Sequence, residues 1–260
     1  MKCFFSFFPF FSFLPILLLL SSCASQQSVR LEPLTASFPL AVREAELEKQ
    51  CAAVYPRGRW QFVHAIEFRM ADGRGSSVIG VTVVDGNTLN CALMTIEGFT
   101  LFQARLNDQL EIDRAVPPFD RPGFARGLME DVRAIFVRPQ GDEVQYGRLA
   151  GSSETCRMTT ADGRVTDILP SEDGCWRIRT YDQKQTLTRT ITARSCRMVD
   201  STMIPGELEL TVPGPAGYTL KMNLQTADHG NNPSPALSAF LFPNPNLGTE
   251  GMAELRILSP

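Results

Sequence analysis

From Trp60 to Met70 the even positions are Trp60, Phe62, His64, Ile66, Phe68 and Met70, while the odd ones include Gln61, Glu67 and Arg69. An extended chain with that alternation has one strongly apolar face. Leu89, Cys91 and Leu93 share a face in the same way, opposite Asn90, Ala92 and Met94. Gly98, in Ile96-Glu97-Gly98, can take the positive φ that hairpin turns often require, so residues 89–106 read as two strands with Phe99, Leu101 and Phe102 on the return. Turn signals at Asp85-Gly86-Asn87, Glu97-Gly98 and Asn107-Asp108 recur roughly every ten residues, the spacing of up-and-down β structure. No helical stretch separates these strands, so the sheet should be antiparallel. Seven more strands are expected near 143–149, 154–160, 164–169, 174–182, 186–198, 205–212 and 217–226, with Asp162-Gly163 a strong two-residue hairpin signal.

Two segments break the alternation. Residues 41–54 are rich in helix formers, including Glu44 to Lys49, and Pro56-Arg57-Gly58 stops them. After Pro117-Pro118 and Pro122-Gly123, the residues Phe124, Leu128, Val132 and Ile135 recur at helical spacing with Phe136 beside the last, and Glu130, Asp131 and Arg133 fall toward the other face. That is an amphipathic helix interrupting a meander. Any incomplete barrel needs such a helix to cover apolar surface at an open face or edge.

About a dozen strands are too many for a small sandwich sheet. They suit an antiparallel barrel, closed or open, able to hold one small ligand. Composition shows no linker-like break before residue 228, so one domain is expected over 41–227. The stretch 228–260 is rich in Asn, Pro and Gly and reads as an irregular tail.

The first 23 residues are of a different kind. Lys2 precedes seventeen residues, Phe4 to Leu20, of Phe, Leu, Ile, Ser and Pro. This is the pattern of a signal peptide, residues 1–22. A membrane-spanning helix fits less well, because the run is at the short limit and Pro9 and Pro15 would kink it. Leu20-Ser21-Ser22-Cys23 resembles the lipobox of bacterial lipoproteins, which implies that Cys23 is acylated and becomes the N-terminus. Two or three chains on one residue hold a protein on a membrane almost irreversibly, each buried methylene contributing about 0.8 kcal/mol. Residues 23–40 would then be a lipidated tether. By the same resemblance, Ala24, where an Asp favours inner-membrane retention, points to the periplasmic side of the outer membrane.

Charge narrows the partners. The formal net charge is −3, and removing residues 1–22 takes away one Lys and no acid. The chain therefore has no basic surplus for nucleic acid. Of seven cysteines, Cys51, Cys91, Cys156, Cys175 and Cys196 remain in the folded body, so at least one lacks an intramolecular partner. An oxidising compartment permits one or two bridges. In an antiparallel meander an intervening strand separates Cys156 from Cys175, which makes Cys175 with Cys196 the better pair and leaves the rest open.

Chemical motifs are few. With His64 and His229 the only histidines and no CxxC spacing, neither a metal site nor a cofactor is expected. Gly73-Arg74-Gly75-Ser76-Ser77 lacks the Gly-Lys-Ser/Thr ending and following helix of a phosphate loop, and reads as a hairpin turn. No GxSxG elbow occurs. His64 on an apolar face reads as a neutral core histidine, the alternative being a periplasmic hydrolase with His64 as its base.

The hairpin LMTIEGFTLFQARL, the acidic turn and Pro-Pro segment after it, the helix that follows and the strand Gly217-Tyr218-Thr219-Leu220-Lys221-Met222-Asn223-Leu224 together resemble the LolA/LolB-like bacterial lipoproteins over roughly residues 41–226. The resemblance implies a mainly β fold, an unclosed antiparallel half-barrel of about 11–12 strands lidded by a short amphipathic helix. It also implies a carrier or receiver of lipid or lipoprotein acyl chains rather than an enzyme. The cavity would be lined by Phe62, Ile66, Leu93, Phe99, Leu101, Phe124, Leu128, Val132 and Trp176, each of which ordinary core packing would explain equally well. A structural lipoprotein that binds an envelope protein partner, without a lipid ligand, is the alternative from another class.

Overall fold

In a computed structural model, residues 29–35, 40–150 and 154–230 are described, with the side chains of 40–43 left aside. The leader, Cys23 and the tail beyond 230 lie outside these residues. Helix α1 (Leu40–Ala53) precedes five strands, β1 (Arg59–Met70), β2 (Gly75–Asp85), β3 (Thr88–Met94), β4 (Thr100–Leu106) and β5 (Leu110–Ala115). Helix α2 (Pro122–Phe136) follows, then β6 (Glu143–Arg148), β7 (Glu154–Thr159), β8 (Val165–Pro170), β9 (Trp176–Tyr181), β10 (Leu187–Val199), β11 (Thr202–Val212) and β12 (Tyr218–His229). The strands form one sheet in the order β5-β4-β3-β2-β1-β12-β11-β10-β9-β8-β7-β6. Every neighbouring pair is antiparallel.

Two meanders are thus sewn together along β1 and β12, from Trp60 opposite His229 to Met70 opposite Tyr218. The seam leaves β5 and β6 as the two edges. Both are short, and β5 carries Glu111, Asp113 and Arg114 on a largely exposed surface. Charge and shortness at an edge discourage pairing with another chain. Register shifts at Val63/His64, Leu93/Met94 and Gln103/Ala104 bend the strands, as bulges do. The curved sheet has a concave face and remains unclosed, the half-barrel that the strand count and the resemblance implied.

Period-two alternation decides what the concave face carries. Trp60 and Phe62 of β1, Val84 of β2, Leu89, Cys91 and Leu93 of β3, and Phe102 and Ala104 of β4 join a single buried cluster with Cys156, Ile168, Ile178, Ile191 and Leu210 from the other meander. Both helices lie on this face. Leu47, Cys51, Val54 and Tyr55 of α1 and the loop after it, and Ala125, Met129, Val132, Ile135 and Phe136 of α2, belong to the same cluster. A disulfide, Cys51–Cys156, ties the end of α1 to β7. A second, Cys175–Cys196, joins the start of β9 to its neighbour β10, the pairing that strand order favoured. Cys91 is free and buried, and burial pushes its thiol up to about 12.

The hairpin of β3 and β4 turns at Gly98, whose φ is 90°. Its amide donates to the Thr95 carbonyl, and the Thr95 amide donates to the Phe99 carbonyl. Only a residue without a Cβ takes that conformation at little cost. None of the described helices is long and apolar enough to cross a membrane.

Candidate functional site

The concave face is where the sheet leaves something unfinished. The edges β5 and β6 do not pair, and the chain between them, including α2, crosses the gap. No backbone ladder holds α2, so side chains must. Phe136 at its end stacks on Phe62 at 5.0 Å, which itself stacks on Trp60 at 5.6 Å. Met129, Val132 and Ile135 sink into the core between them.

The apolar stripe matches the expected one at Val132, Ile135 and Phe136 and departs from it in the first two turns. Ala125, Met129, Val132 and Phe136 point inward, whereas Phe124 is exposed and Leu128 only partly buried. Those turns are rotated, so that Ala125 and Met129 take the inward positions expected of Phe124 and Leu128. Phe124 instead meets Phe119 edge-on at 5.3 Å on the surface side.

The same rotation carries Asp131 inward, and its placement on the outer face of the helix is corrected accordingly. Asp131 is 2% exposed. Its carboxylate accepts hydrogen bonds from the Arg189 guanidinium of β10 and the Tyr218 hydroxyl of β12. Burial and the adjacent Asp131 carboxylate push the Tyr218 phenol well above its ordinary range. Near the same end of α2, Arg133 donates to the Asn107 carbonyl in the β4–β5 turn at 2.6 Å. The helix is therefore latched to both meanders, by the buried Asp131 carboxylate on one side and an exposed Arg133 contact on the other. Removal of one member of a buried ion pair typically costs about 3–5 kcal/mol.

Two neighbouring cavities adjoin the core. The inner one, lined by Phe62, His64, Phe136, Trp176, Ile204 and Leu208, measures about 20 Å³, room for about one water molecule. The outer one measures about 790 Å³ and is bounded by Gln50, Arg148, Glu154, Ser171, Glu172 and Met198. Val54, Trp176 and Met203 form walls of both. The Trp176 indole N–H is buried and without an acceptor, next to a mouth with two acids and one arginine. The arrangement is a mixed outer cavity beside a small apolar slot walled by α2 and the sheet.

His64 lies in that slot, 6.1 Å from the Phe62 ring and 6.0 Å from Phe136. Burial lowers its pKa from 6.5 to about 4, so the imidazole is neutral at pH 7. A histidine that stays neutral in the fold but charges in the unfolded chain makes the protein lose stability as pH falls from 6.5 toward 4, by up to about 1.4 kcal/mol per pH unit. Above 6.5 the effect vanishes. His64→Leu should flatten that part of the acid limb in urea unfolding at pH 7.0, 5.5 and 4.5; an unchanged slope would show that His64 charges freely within the fold.

The expected cavity residues separate into groups. Phe62, Leu93, Val132 and Trp176 are core, and Ile66 and Leu128 pack against it half-buried. Phe62 and Trp176 line the inner cavity. Leu101 is half-buried on β4. Phe99 is 72% exposed in the hairpin turn beside Ile96, 73% exposed, so these two form an apolar tip in solvent. Pattern reading missed Asp131, Arg189 and Tyr218, which no local signal joins.

An unclosed antiparallel sheet with a helix across its concave face is the fold class expected from the sequence. Solved structures with a similar course of chain include a LolA-superfamily protein from Nitrosomonas europaea, 12% identical over 73% of this chain and 94% of that one, with a TM-score of 0.49. A DUF1329-family protein from Desulfovibrio piger is 12% identical over 75% and 94%, with a TM-score of 0.47. A domain described as a candidate outer membrane lipoprotein-sorting protein from Vibrio parahaemolyticus is 9% identical over 75% and 94%, with a TM-score of 0.46. No protein-family model and no curated protein sequence matches the chain.

Proposed function

We propose that this chain is a lipoprotein of the bacterial envelope, anchored through Cys23 to the outer membrane and facing the periplasm, which shelters the acyl chains of a lipid or lipoprotein on its concave face. The observation that carries this reading is α2. It covers a continuous apolar surface on the concave face, and it is fixed by a latch of side chains that can open without breaking any strand pairing. The slot behind it has no room for an acyl chain while the helix is seated. A ligand that enters this slot displaces α2 and takes over its apolar contacts.

That exchange needs no catalyst. Acyl surface and helix surface compete for the same burial, worth about 25 cal/mol per Å², so the balance is set by which fits better. The mixed outer cavity supplies polar partners for a head group, and the Trp176 N–H supplies a donor that lacks an acceptor. Residues 29–35 lie bonded along the sheet, so the spacer between Cys23 and the body is short, residues 24–28.

Native mass spectrometry of residues 24–260, purified without detergent, tests the reading. Co-purifying or added acyl lipid at a fixed ratio is the expected result, and Leu128→Glu should weaken it with the sheet spectrum unchanged. A clean apo mass with no uptake would favour the structural lipoprotein instead, with the exposed Ile96 and Phe99 tip as its contact for a protein partner.

A further inference from the structure

The sheet has a second apolar surface, on the face away from both helices. Val63, Val81 and Ala92 form a separate buried cluster there, with Ile79 and Met94 packed around it. Val81 and Ala92 are each 1% exposed, although neighbours on a convex sheet face do not by themselves enclose a side chain so fully. Both described helices contribute to the concave cluster instead.

The opposite end of the same outer face shows what such burial requires. There Arg157 and Asp167 form a buried pair on β7 and β8, and residues 29–35 lie over them. The Glu32 carbonyl accepts from Arg157 at 2.9 Å, and the Glu32 carboxylate meets Arg179 at 3.3 Å. Leu34 and Thr35 press against Gly147, where a Cβ would come within 2.5 Å of the Thr35 carbonyl oxygen. One strap thus accounts for burial over β6–β9, and it does not extend to β1–β3.

Gln61 adds an independent sign. It stands on the outer face one step along β1 from Val63, is 3% exposed, and neither its amide nitrogen nor its amide oxygen has a hydrogen-bond partner. A buried amide with both ends unmet is destabilising, unless a backbone alongside supplies a donor and an acceptor.

The place where the described chain ends selects the occupant. Asp228 pairs with Gln61 and His229 with Trp60, and the Gly230 amide donates to the Arg59 carbonyl. Residue 231 therefore sets off beside the start of β1 at Arg59, two residues from Gln61, whereas Val29 is bonded to Leu187 at β10, three strands from β1 in the sheet. Residues 231–260 contain the apolar run Ala236 to Phe242, interrupted by one serine and flanked by prolines. Ten extended residues reach about 33 Å, enough to cross three strands at about 4.8 Å spacing. A sheet face has its backbone groups already paired, so it accepts proline-rich chain that a sheet edge would refuse.

We propose that residues 231–260 fold back over the outer face of β1–β3, with the run from Ala236 to Phe242 covering Val63, Val81 and Ala92 and its backbone meeting the Gln61 amide. The tail is a second strap, the counterpart of residues 29–35 at the other end of the sheet.

The test uses the full-length chain in membrane preparations with Val63→Cys as a reporter and maleimide labelling read by mass spectrometry, the parent chain supplying the background of Cys91. The reporter is expected to be protected, and Phe240→Asp with Leu241→Asp should raise its labelling rate by at least about tenfold while circular dichroism of the sheet is unchanged. Truncation after Gly230 should do the same. Rapid labelling of the intact chain would overturn the proposal, as would protection that survives both the tail substitutions and the truncation. Protection that disappears on dilution would assign the face to a second copy and equally overturn it.

Discussion

Asp131→Ala is expected to destabilise the protein by about 3 kcal/mol and to speed the uptake of a fluorescent fatty acid. The carboxylate is almost fully buried and is the shared acceptor for Arg189 and Tyr218. Its loss leaves a guanidinium and a phenol facing an apolar helix. Arg189 is 21% exposed and so recovers some hydration, which places the loss at the lower end of the usual range. Because these contacts join α2 to β10 and β12, the stability lost is mostly that of the seated helix. Asp131→Asn, which preserves shape and one acceptor, should show a smaller loss and a smaller gain in uptake. Urea unfolding and stopped-flow fluorescence separate the two effects. Unchanged stability would mean that apolar packing alone seats the helix, and reduced uptake would mean that the latch belongs to the ligand site.

The disulfides should differ in a defined order. Cys51–Cys156 closes a separation of 105 residues and Cys175–Cys196 one of 21. In the chain-entropy account a loop near 100 residues is worth about 4.7 kcal/mol and one near 15 about 3. Replacing Cys51 and Cys156 by serine should therefore lower Tm by roughly 10–20 °C, and replacing Cys175 and Cys196 by less. The first bridge also fastens α1 over β7, so its removal should free that helix in hydrogen exchange while β1 and β12 stay protected. Equal or reversed losses would show that residual structure in the unfolded chain, rather than loop closure, sets the contribution.

The contrast between these bridges shows what a sequence can and cannot carry. Cys175 and Cys196 lie on consecutive antiparallel strands, and strand order alone brings them together. Cys51 lies on a helix whose docking site is chosen by the whole concave face, so nothing local points it to Cys156. The strands themselves were legible for a related reason. Alternation from Trp60 to Met70 and glycines such as Gly98 act within a few residues, and the observed β1 starts one residue before the expected strand.

The face of α2 was legible in its second half, where Val132, Ile135 and Phe136 are buried as expected, and not in its first. Large residues at 124 and 128 suggested where the stripe begins, and the fold buries Ala125 and Met129 instead. A charged residue such as Asp131 reads as solvent-facing on any helix wheel. Its partners are 58 and 87 residues away, and only the folded sheet unites them. Likewise, Phe99 is apolar and sits in a strand-like run, yet it falls in the turn, where exposure rather than burial is its surroundings.

The central claim is that α2 leaves the concave face when an acyl chain enters. Spin labels at Glu130→Cys on α2 and Lys221→Cys on β12, both exposed positions, report that movement by pulsed electron resonance on residues 24–260. The account predicts a distance distribution that lengthens as acyl lipid is added to saturation and returns when the lipid is removed. Lipid bound at a fixed ratio with the distance unchanged would contradict it.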